Sequence, residues 1–310
     1  MEEIKQGRVV GSVGGIFEVL CKNGERLSVR ARGSLRRGEG KLLVGDLVHV
    51  ALPNGKESDA VIEAIEERKN SLIRPPLANL DHLFVALSVR EPDPIPETTD
   101  KLLAIAEHNG IDVTVVVTKE DTSAEGAEAL AALYRAAGYP VFSVSSLDST
   151  GIEELSAHIK ETLAGGRIAA FAGASGVGKS SLINRLFPSL SLETGEISQK
   201  IGRGKNTTRT TALYPVFEEE EGGFLADTPG FSMLDFIRFD FMTWEDLPGA
   251  FREFSPYLGE CRYTNCRHVK EEECAVRRAL AEGKIAPSRY ESYVLLYTVL
   301  KDKNPYGTEK

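Results

Sequence analysis

The stretch GASGVGKS, from Gly173 to Ser180, has the residue types and spacing of a loop that wraps phosphate. Its glycines let the backbone curl until amide N–H groups and the start of the next helix face the negative charge. Gly173, Ala174, Ser175, Gly176, Val177 and Gly178 would form that cradle. Lys179 would reach the β- and γ-phosphates, the Ser180 hydroxyl would ligate Mg²⁺, and Ser181 would follow in the first helical turn. The apolar run RIAAFA before the loop and SLINRLF after it give the strand and helix that the motif requires.

Further along, DTPG closes the apolar run GGFLA, which places Asp227 at a strand end. A carboxylate there can hold Mg²⁺ through water, and Gly230 can sense a γ-phosphate. The polar, Gly-rich segment GRGKNTTRTT between the two motifs is the expected first switch segment. Thr207 or Thr208 would give Mg²⁺ a second hydroxyl, and the sequence does not choose between them.

The base is read elsewhere. A carboxylate can accept from both N1–H and the exocyclic amine of guanine, a pairing that adenine does not offer. Asp121, in the run Thr118, Lys119, Glu120, Asp121 after the strand DVTVVV, is placed for that role. The Lys119 stem would pack over the base. Thr118 stands where such motifs usually have Asn, so a hydroxyl replaces an amide. Ser145 and Ser146 occupy the place of the loop that backs the base. These motifs predict GTP and GDP, rather than ATP, with Mg²⁺. In Ras-like GTPases the base motif follows the phosphate loop; here it precedes it, so the chain reads as a circular permutation.

A separate cluster has metal chemistry. Cys261, Cys266, His268 and Cys274 follow the spacing C-x4-C-x-H-x5-C. Three thiolates and one imidazole suit one closed tetrahedral Zn²⁺ site with no open position, hence a structural role. Arg262, Arg267, Lys270, Arg277 and Arg278 surround it as a possible RNA footprint.

Elements must position these groups. Residues 5 to about 70 alternate apolar and polar positions between Gly turn signals, predicting a small β-barrel of the OB type. Arg26, Arg30, Arg32, Arg36 and Arg37 give that barrel a candidate RNA contact. SLIRPPLANLD then breaks the pattern. Strands alternate with helices onward through the phosphate loop, which predicts right-handed crossovers and a mostly parallel sheet. From about Phe236 the chain is expected to be helical around the Cys/His cluster. The predicted fold is therefore multi-domain: an OB-fold barrel at 1–71, an α/β circularly permuted P-loop GTPase domain at 72–236, and a helical zinc-binding subdomain at 237–310.

Net charge is −9 over 310 residues, which excludes a generally basic surface but not a local patch. No apolar run approaches the roughly 20 residues of a membrane helix, and the amino terminus MEEIKQGRVVG lacks the core of a signal peptide. The expectation is a cytoplasmic protein, monomeric by default.

Taken together these residues resemble the ribosome small-subunit-dependent GTPases of the RsgA (YjeQ/YloQ) family. The resemblance covers the barrel, the permuted motifs and the C-x4-C-x-H-x5-C cluster. It implies GTP hydrolysis stimulated by the 30S subunit, late in small-subunit maturation, with barrel and zinc subdomain contacting 16S rRNA. Two departures stand out. The family's first switch commonly reads Arg-His-Thr-Thr, where this chain has Lys205, Asn206, Thr207 and Thr208; and its base motif begins with Asn, where this chain has Thr118. Phe231 also follows DTPG, where Ras-like enzymes keep a water-orienting Gln nearby. Slow turnover in isolation is therefore expected.

Overall fold

The structure is a computed structural model that describes residues 3–33, 35, 41–53, 60–72, 76–190, 211–217, 222–227 and 242–302. These fall into two compact units. One is drawn from Met1–His82, Ile159–Ala170 and Ser189–Phe231, the other from Leu83–His158, Phe171–Pro188 and Ser232–Lys310.

The first five strands are β1 (Glu3–Val13), β2 (Ile16–Cys21), β3 (Arg26–Ala31), β4 (Leu47–Leu52) and β5 (Val61–Ile65). They close a barrel in the order β1-β2-β3-β5-β4, with β1 paired to both β2 and β4. Only β3 and β5 run parallel among these pairs, so the barrel has the OB arrangement expected. The alternation behind it is plain in β3, where Leu27, Val29 and Ala31 point inward and Arg26, Ser28 and Arg30 point out. A two-residue Gly14–Gly15 turn, both at positive φ, joins β1 to β2.

Buried polar groups fix the connections. Asp46 is fully buried, and its carboxylate accepts from Arg68 Nε at 2.7 Å and Nη2 at 2.8 Å and from the Leu43 amide at 2.8 Å. Next to it, Gly45 sits at φ +95°, and a Cβ there would lie 2.0 Å from the Ala78 carbonyl oxygen. The segment read as a plain break instead holds β6 (Ser71–Leu72) and β7 (Leu77–Ala78), paired antiparallel. Pro76 lies just before β7 rather than in a ladder position, so it does not prevent pairing.

Arg8 of β1 is largely withdrawn from water. Its guanidinium donates to the carbonyls of Gly45 and Gly166 and lies 5.4 Å from the centre of the Phe224 ring.

The remaining main strands are β8 (His82–Ser88), β9 (Asp112–Thr118), β10 (Val141–Val144), β11 (Ile168–Ala172), β12 (Ala212–Val216) and β13 (Gly223–Asp227). They form a six-stranded sheet ordered β10-β9-β8-β11-β13-β12. The pairs β9/β10 and β11/β13 are parallel, and β12 is antiparallel to β13. The mostly parallel sheet matches the expectation. Every residue of β8 and of β11 is buried, as in strands covered on both faces.

Helices α1 (Pro96–His108), α2 (Ala124–Ala136), α3 (Ile152–Leu163) and α4 (Lys179–Leu186) connect these strands. Pro96 opens α1, where its missing N–H costs nothing. Ser123 caps α2 by accepting from the Gly126 amide at 3.1 Å.

The C-terminal region is less helical than its sequence suggests. Two 3₁₀ turns (Leu247–Ala250 and Arg252–Tyr257) and the Cys/His loops precede α5 (Ala275–Ala281) and α6 (Pro287–Asp302). Its aromatic core sets the Phe254 ring, tilted, 4.8 Å from that of Tyr293 and 5.3 Å from that of Phe251.

Candidate nucleotide site and metal centre

The phosphate-loop motif occupies the turn between β11 and α4, as its flanking runs predicted. Gly173 has φ +141°, and a Cβ there would lie 2.1 Å from the Ala86 carbonyl oxygen of β8. No other residue fits. Gly176 and Gly178 are also left-handed, at φ +80° and +95°. Between them Val177 is buried, while Ala174, Ser175, Gly176, Ser180 and Ser181 reach the surface to differing degrees.

Lys179 is the first residue of α4. Its ammonium donates to the Gly173 carbonyl at 2.8 Å and the Ala174 carbonyl at 2.7 Å, which folds the side chain back across the loop. Burial pulls its pKa down, so an anion in the cradle would restabilise the charged form. Gly173→Ala is expected to weaken nucleotide binding by more than about tenfold, because the clash falls on backbone and cannot be relieved by a rotamer. Titration with a fluorescent GDP analogue checks it, and an unchanged affinity would contradict the account.

The base motif lies at the end of β9. Thr118 is buried, and its Oγ1 is 2.5 Å from the Val177 carbonyl oxygen and 3.2 Å from that of Leu87. Lys119 takes the left-handed conformation, φ 58°, and leads into a 3₁₀ turn over Glu120–Thr122 that presents Asp121 to solvent. The Lys119 ammonium donates to the Glu91 carbonyl, and its Cε is 4.0 Å from where a Gly178 Cβ would stand. The predicted stem-over-base placement is compatible with that position.

Ser145 is fully buried beyond β10 and accepts from the Leu147 amide at 3.1 Å, while Ser146 is half-buried. Arg185 of α4 donates to the Ser149 hydroxyl of the same loop. The turns after β9, β10 and β11 are thus tied to one another. Sequence reasoning missed the Val89–Ile95 segment, whose Pro92 lies 3.5 Å from the Cβ position of Gly176. Nothing in its composition marked it as a neighbour of the phosphate loop.

Asp227 is the last residue of β13 and is paired with Ala212. Thr207, Thr208, Gly230 and Phe231 lie outside the described residues, as do Lys205 and Asn206 and the run FSMLDF that follows DTPG.

The Cys/His cluster forms in space as its spacing predicted. One ligand atom from each of Cys261, Cys266, His268 and Cys274 lies within 4.8 Å of every other. Cys261 Sγ is 3.9 Å from Cys274 Sγ and 3.6 Å from His268 Nδ1, and His268 Nδ1 is 3.4 Å from Cys274 Sγ. A tetrahedron with Zn–S of about 2.3 Å and Zn–N of about 2.0–2.1 Å has edges of roughly 3.5–3.8 Å. The donor set and its edges fit Zn²⁺. The Ala275 amide donates to Cys261 Sγ at 3.3 Å, a contact that favours a thiolate. Burial pushes the Cys266 and Cys274 thiols up and the His268 imidazole down, so a bound cation would have to supply the charge that makes the thiolates stable. Tyr290 and Tyr293 of α6 hold the loop from behind, donating to the His268 and Arg267 carbonyls at 2.8 and 2.7 Å.

Residues 65–237 match the RsgA GTPase family, and residues 6–62 match the RsgA N-terminal domain. The chain belongs to the RsgA GTPase family. It is therefore a GTP hydrolase, with the permuted motif order of that family. It is 38% identical to the small ribosomal subunit biogenesis GTPase RsgA of Alkaliphilus metalliredigens, over 98% of this chain and 100% of that protein. The RsgA of Caldanaerobacter subterraneus is 40% identical, covering 98% of each chain. Among solved structures, YjeQ from Thermotoga maritima superposes with a TM-score of 0.78 at 32% identity, covering 97% of this chain and 100% of that one. YloQ, described as a circularly permuted GTPase, gives 0.77 at 29% identity and 98% coverage of each.

Proposed function

We propose that this RsgA-family chain hydrolyses GTP to GDP and phosphate on the small (30S) ribosomal subunit, late in its maturation, through contacts to 16S rRNA. The observation that carries the nucleotide assignment is the direct hydrogen bond between the base motif and the phosphate loop, Thr118 to Val177. It supports reading two motifs that are 59 residues apart as parts of one site.

In this reading Asp121 selects guanine, with Lys119 and Glu120 shaping the turn and Ser145 and Ser146 behind the base. Residues Gly173 to Gly178 present amides to the phosphates, Lys179 neutralises the β- and γ-phosphates, and Ser181 completes the helix start. Ser180, Asp227 and Thr207 or Thr208 supply the oxygen ligands that a hard cation such as Mg²⁺ prefers. Bound Mg²⁺ would neutralise charge developing on the phosphate oxygens. Gly230 reports the γ-phosphate. The three parts we infer are a barrel at 1–71, a GTPase domain at 72–236 and a subdomain at 237–310 that holds one structural Zn²⁺ on Cys261, Cys266, His268 and Cys274.

The rRNA reading rests on the barrel and on basic residues near the metal cluster. Its arginines are not all free to serve. Arg26 pairs with Glu18, Arg32 with Glu63 and Arg262 with Glu273, and Arg267 lies 5.0 Å over the Trp244 ring. Arg30 is exposed on β3, whereas Arg36 and Arg37 fall outside the described residues. The protein acts as a monomer in the cytoplasm, in keeping with a ribosomal target. Among the described residues no helix is long and apolar enough to cross a membrane.

No side chain at Phe231 can orient water, so the ribosomal subunit is the element that completes or orders the catalytic site. A partner that completes such a site can raise turnover by about 10³–10⁵-fold. Purified 30S subunits are expected to raise kcat by at least about tenfold over the isolated protein, on that scale. Equal rates with and without 30S subunits overturn the reading, as does equal stimulation by 50S subunits.

A further inference from the structure

Arg8 stands where a charge gains least. It lies on β1 beside the buried positions Gly7, Val9 and Val10. Its guanidinium donates to the Gly45 carbonyl at 3.3 Å and the Gly166 carbonyl at 3.2 Å, and neither acceptor is charged. Burial pulls its pKa down, and Asp81 and Glu66 push it back from further away. Those two carboxylates are engaged elsewhere, Asp81 with Lys69 and the Ile168 amide, Glu66 with His49. A cation withdrawn from water and held by neutral dipoles adds little to stability. Its use lies in what it joins.

It joins three pieces of one compact unit. Gly45 belongs to the barrel, just before β4. Gly166 sits in the turn between α3 and β11, the strand that leads to the phosphate loop. Phe224, whose ring centre is 5.4 Å from the guanidinium, lies on β13, the strand that ends at Asp227. The parts fit closely around that contact. β1 packs beside β12, and the Phe224 amide donates to the Arg167 carbonyl at 2.9 Å. A Cβ at Gly223 would lie 2.5 Å from the Leu163 carbonyl oxygen. Phe224 is also laddered on both sides, opposite Ile168 of β11 and Pro215 of β12. A strand held in this way shifts as a rod, so a displacement at Phe224 appears at Asp227.

We infer that Arg8 is a positioning residue for GTP hydrolysis: it fastens the barrel to the base of β11 and β13, so that a pull on the barrel from bound RNA reaches Asp227. A guanidinium suits the task. Its planar fork donates to a carbonyl on each side of the joint while its face packs on a ring, which an ammonium does not do at once. The inference rests on the proposed reading of a 30S-stimulated GTPase whose barrel contacts RNA, and adds the residue that carries that contact into the GTPase sheet.

The test is steady-state GTP hydrolysis by full-length Arg8→Met and Arg8→Lys proteins, alone and with purified 30S subunits, alongside cosedimentation with those subunits. Arg8→Met keeps most of the stem and removes the fork. Its turnover alone, its Kd for GDP and its affinity for 30S subunits are expected to stay within about twofold of the unaltered protein, since Arg8 shares no partner with either site. The ladder holds β13 when nothing pulls on the barrel. The 30S-stimulated kcat should fall about tenfold, within the roughly two- to thirtyfold over which residues between coupled sites act. Arg8→Lys keeps the charge but not the fork, and should lose about threefold. A merely structural Arg8 would lower the melting temperature and leave the factor of stimulation unchanged wherever the protein is folded. That result overturns the joint. So does a loss of stimulation that an excess of 30S subunits restores, because it would place Arg8 in binding and not in coupling. Should Arg8→Met fail to fold, full stimulation of Arg8→Lys overturns the inference equally. If 30S subunits do not stimulate the unaltered protein, the functional reading itself fails and the joint falls with it, a failure that the unaltered protein alone reveals.

Discussion

With Cys261, Cys266, His268 and Cys274 holding Zn²⁺ as proposed, removal of that metal is expected to unfold the loops between Glu260 and Ala275. Structural Zn²⁺ contributes roughly 10–16 kcal/mol to a small metal-dependent fold, more than any other single feature of this region could supply. Besides the ligands, the segment is held mainly by polar contacts, such as those from the Arg267, Val269 and Lys270 amides to the Glu271 carboxylate. His268 and Glu273 are both in the left-handed region, at φ 59° and 55°, conformations that persist only where the surroundings impose them. The loop contacts beyond the ligands are mainly hydrogen bonds, such as those from Tyr290 and Tyr293. The unfolding should stay local, because the Phe251, Phe254 and Tyr293 core lies outside the ligand loop. Cys274→Ser or a strong chelator should therefore abolish hydrogen-exchange protection from 261 to 275 and leave GDP affinity within about twofold, as sites without shared partners behave additively. One equivalent of zinc should be released on denaturation of the untreated protein. Protein free of zinc with full protection of this loop would refute the expectation.

The sequence was most legible where one residue type is the only chemical solution. Gly173 could be placed because the loop needs a residue without a Cβ, and the Cβ position does fall on the Ala86 carbonyl. The Cys/His spacing closed in space because a metal accepts few donor sets. Strand alternation in β3 exposed the barrel for the same reason, one face being water and the other core.

What stayed hidden depends on partners distant in the chain. Leu72 and Leu77 pair although the proline-bearing stretch around them reads as a break. Arg8 reads as surface charge, yet it is folded over Phe224 and onto the Gly166 carbonyl, 158 residues away. Several arginines of the supposed RNA footprint are matched by glutamates that sit close to them only after folding, Glu63 opposite Arg32 being one. Thr118 was legible as a departure, but nothing local says that the Val177 carbonyl accepts from its hydroxyl. Short-range chemistry shows in a sequence; the choice of a long-range partner does not.

Arg289 is the furthest-reaching case and the second large effect expected. From α6 its guanidinium donates to Glu253 through Nε at 2.7 Å and Nη2 at 3.1 Å, and to Asp100 of α1 at 2.6 Å. It also lies 4.7 Å over the Phe251 ring. The Arg289 and Asp100 side chains are 1% and 0% exposed, so water cannot take over if one partner is lost. Burial pulls the guanidinium down, but Asp100 and Glu253 outweigh it and hold the group charged. Arg289→Met keeps most of the packing and removes the charge, and breaking a buried ion pair in this way costs about 3–5 kcal/mol. The melting temperature should fall by on the order of 10 °C.

The pH dependence of that loss separates charge from packing. Burial already pushes the Asp100 carboxyl above its ordinary value, against the pull of Arg289. Without Arg289 the folded-state pKa rises further, so the folded variant binds a proton that the unfolded chain releases at the same pH. The stability gained from that proton is present below the unfolded pKa and is lost as pH rises through the folded one. The deficit of Arg289→Met should therefore be greatest at neutral pH and narrow as pH falls. Adding Asp100→Leu and Glu253→Gln to it should recover much of the loss at neutral pH, because an apolar replacement of a buried ion cluster is often neutral or better. Thermal melts at two pH values decide the matter. A deficit equal at both would mean that the cost is lost packing and that the buried charges are not what holds α6 to α1.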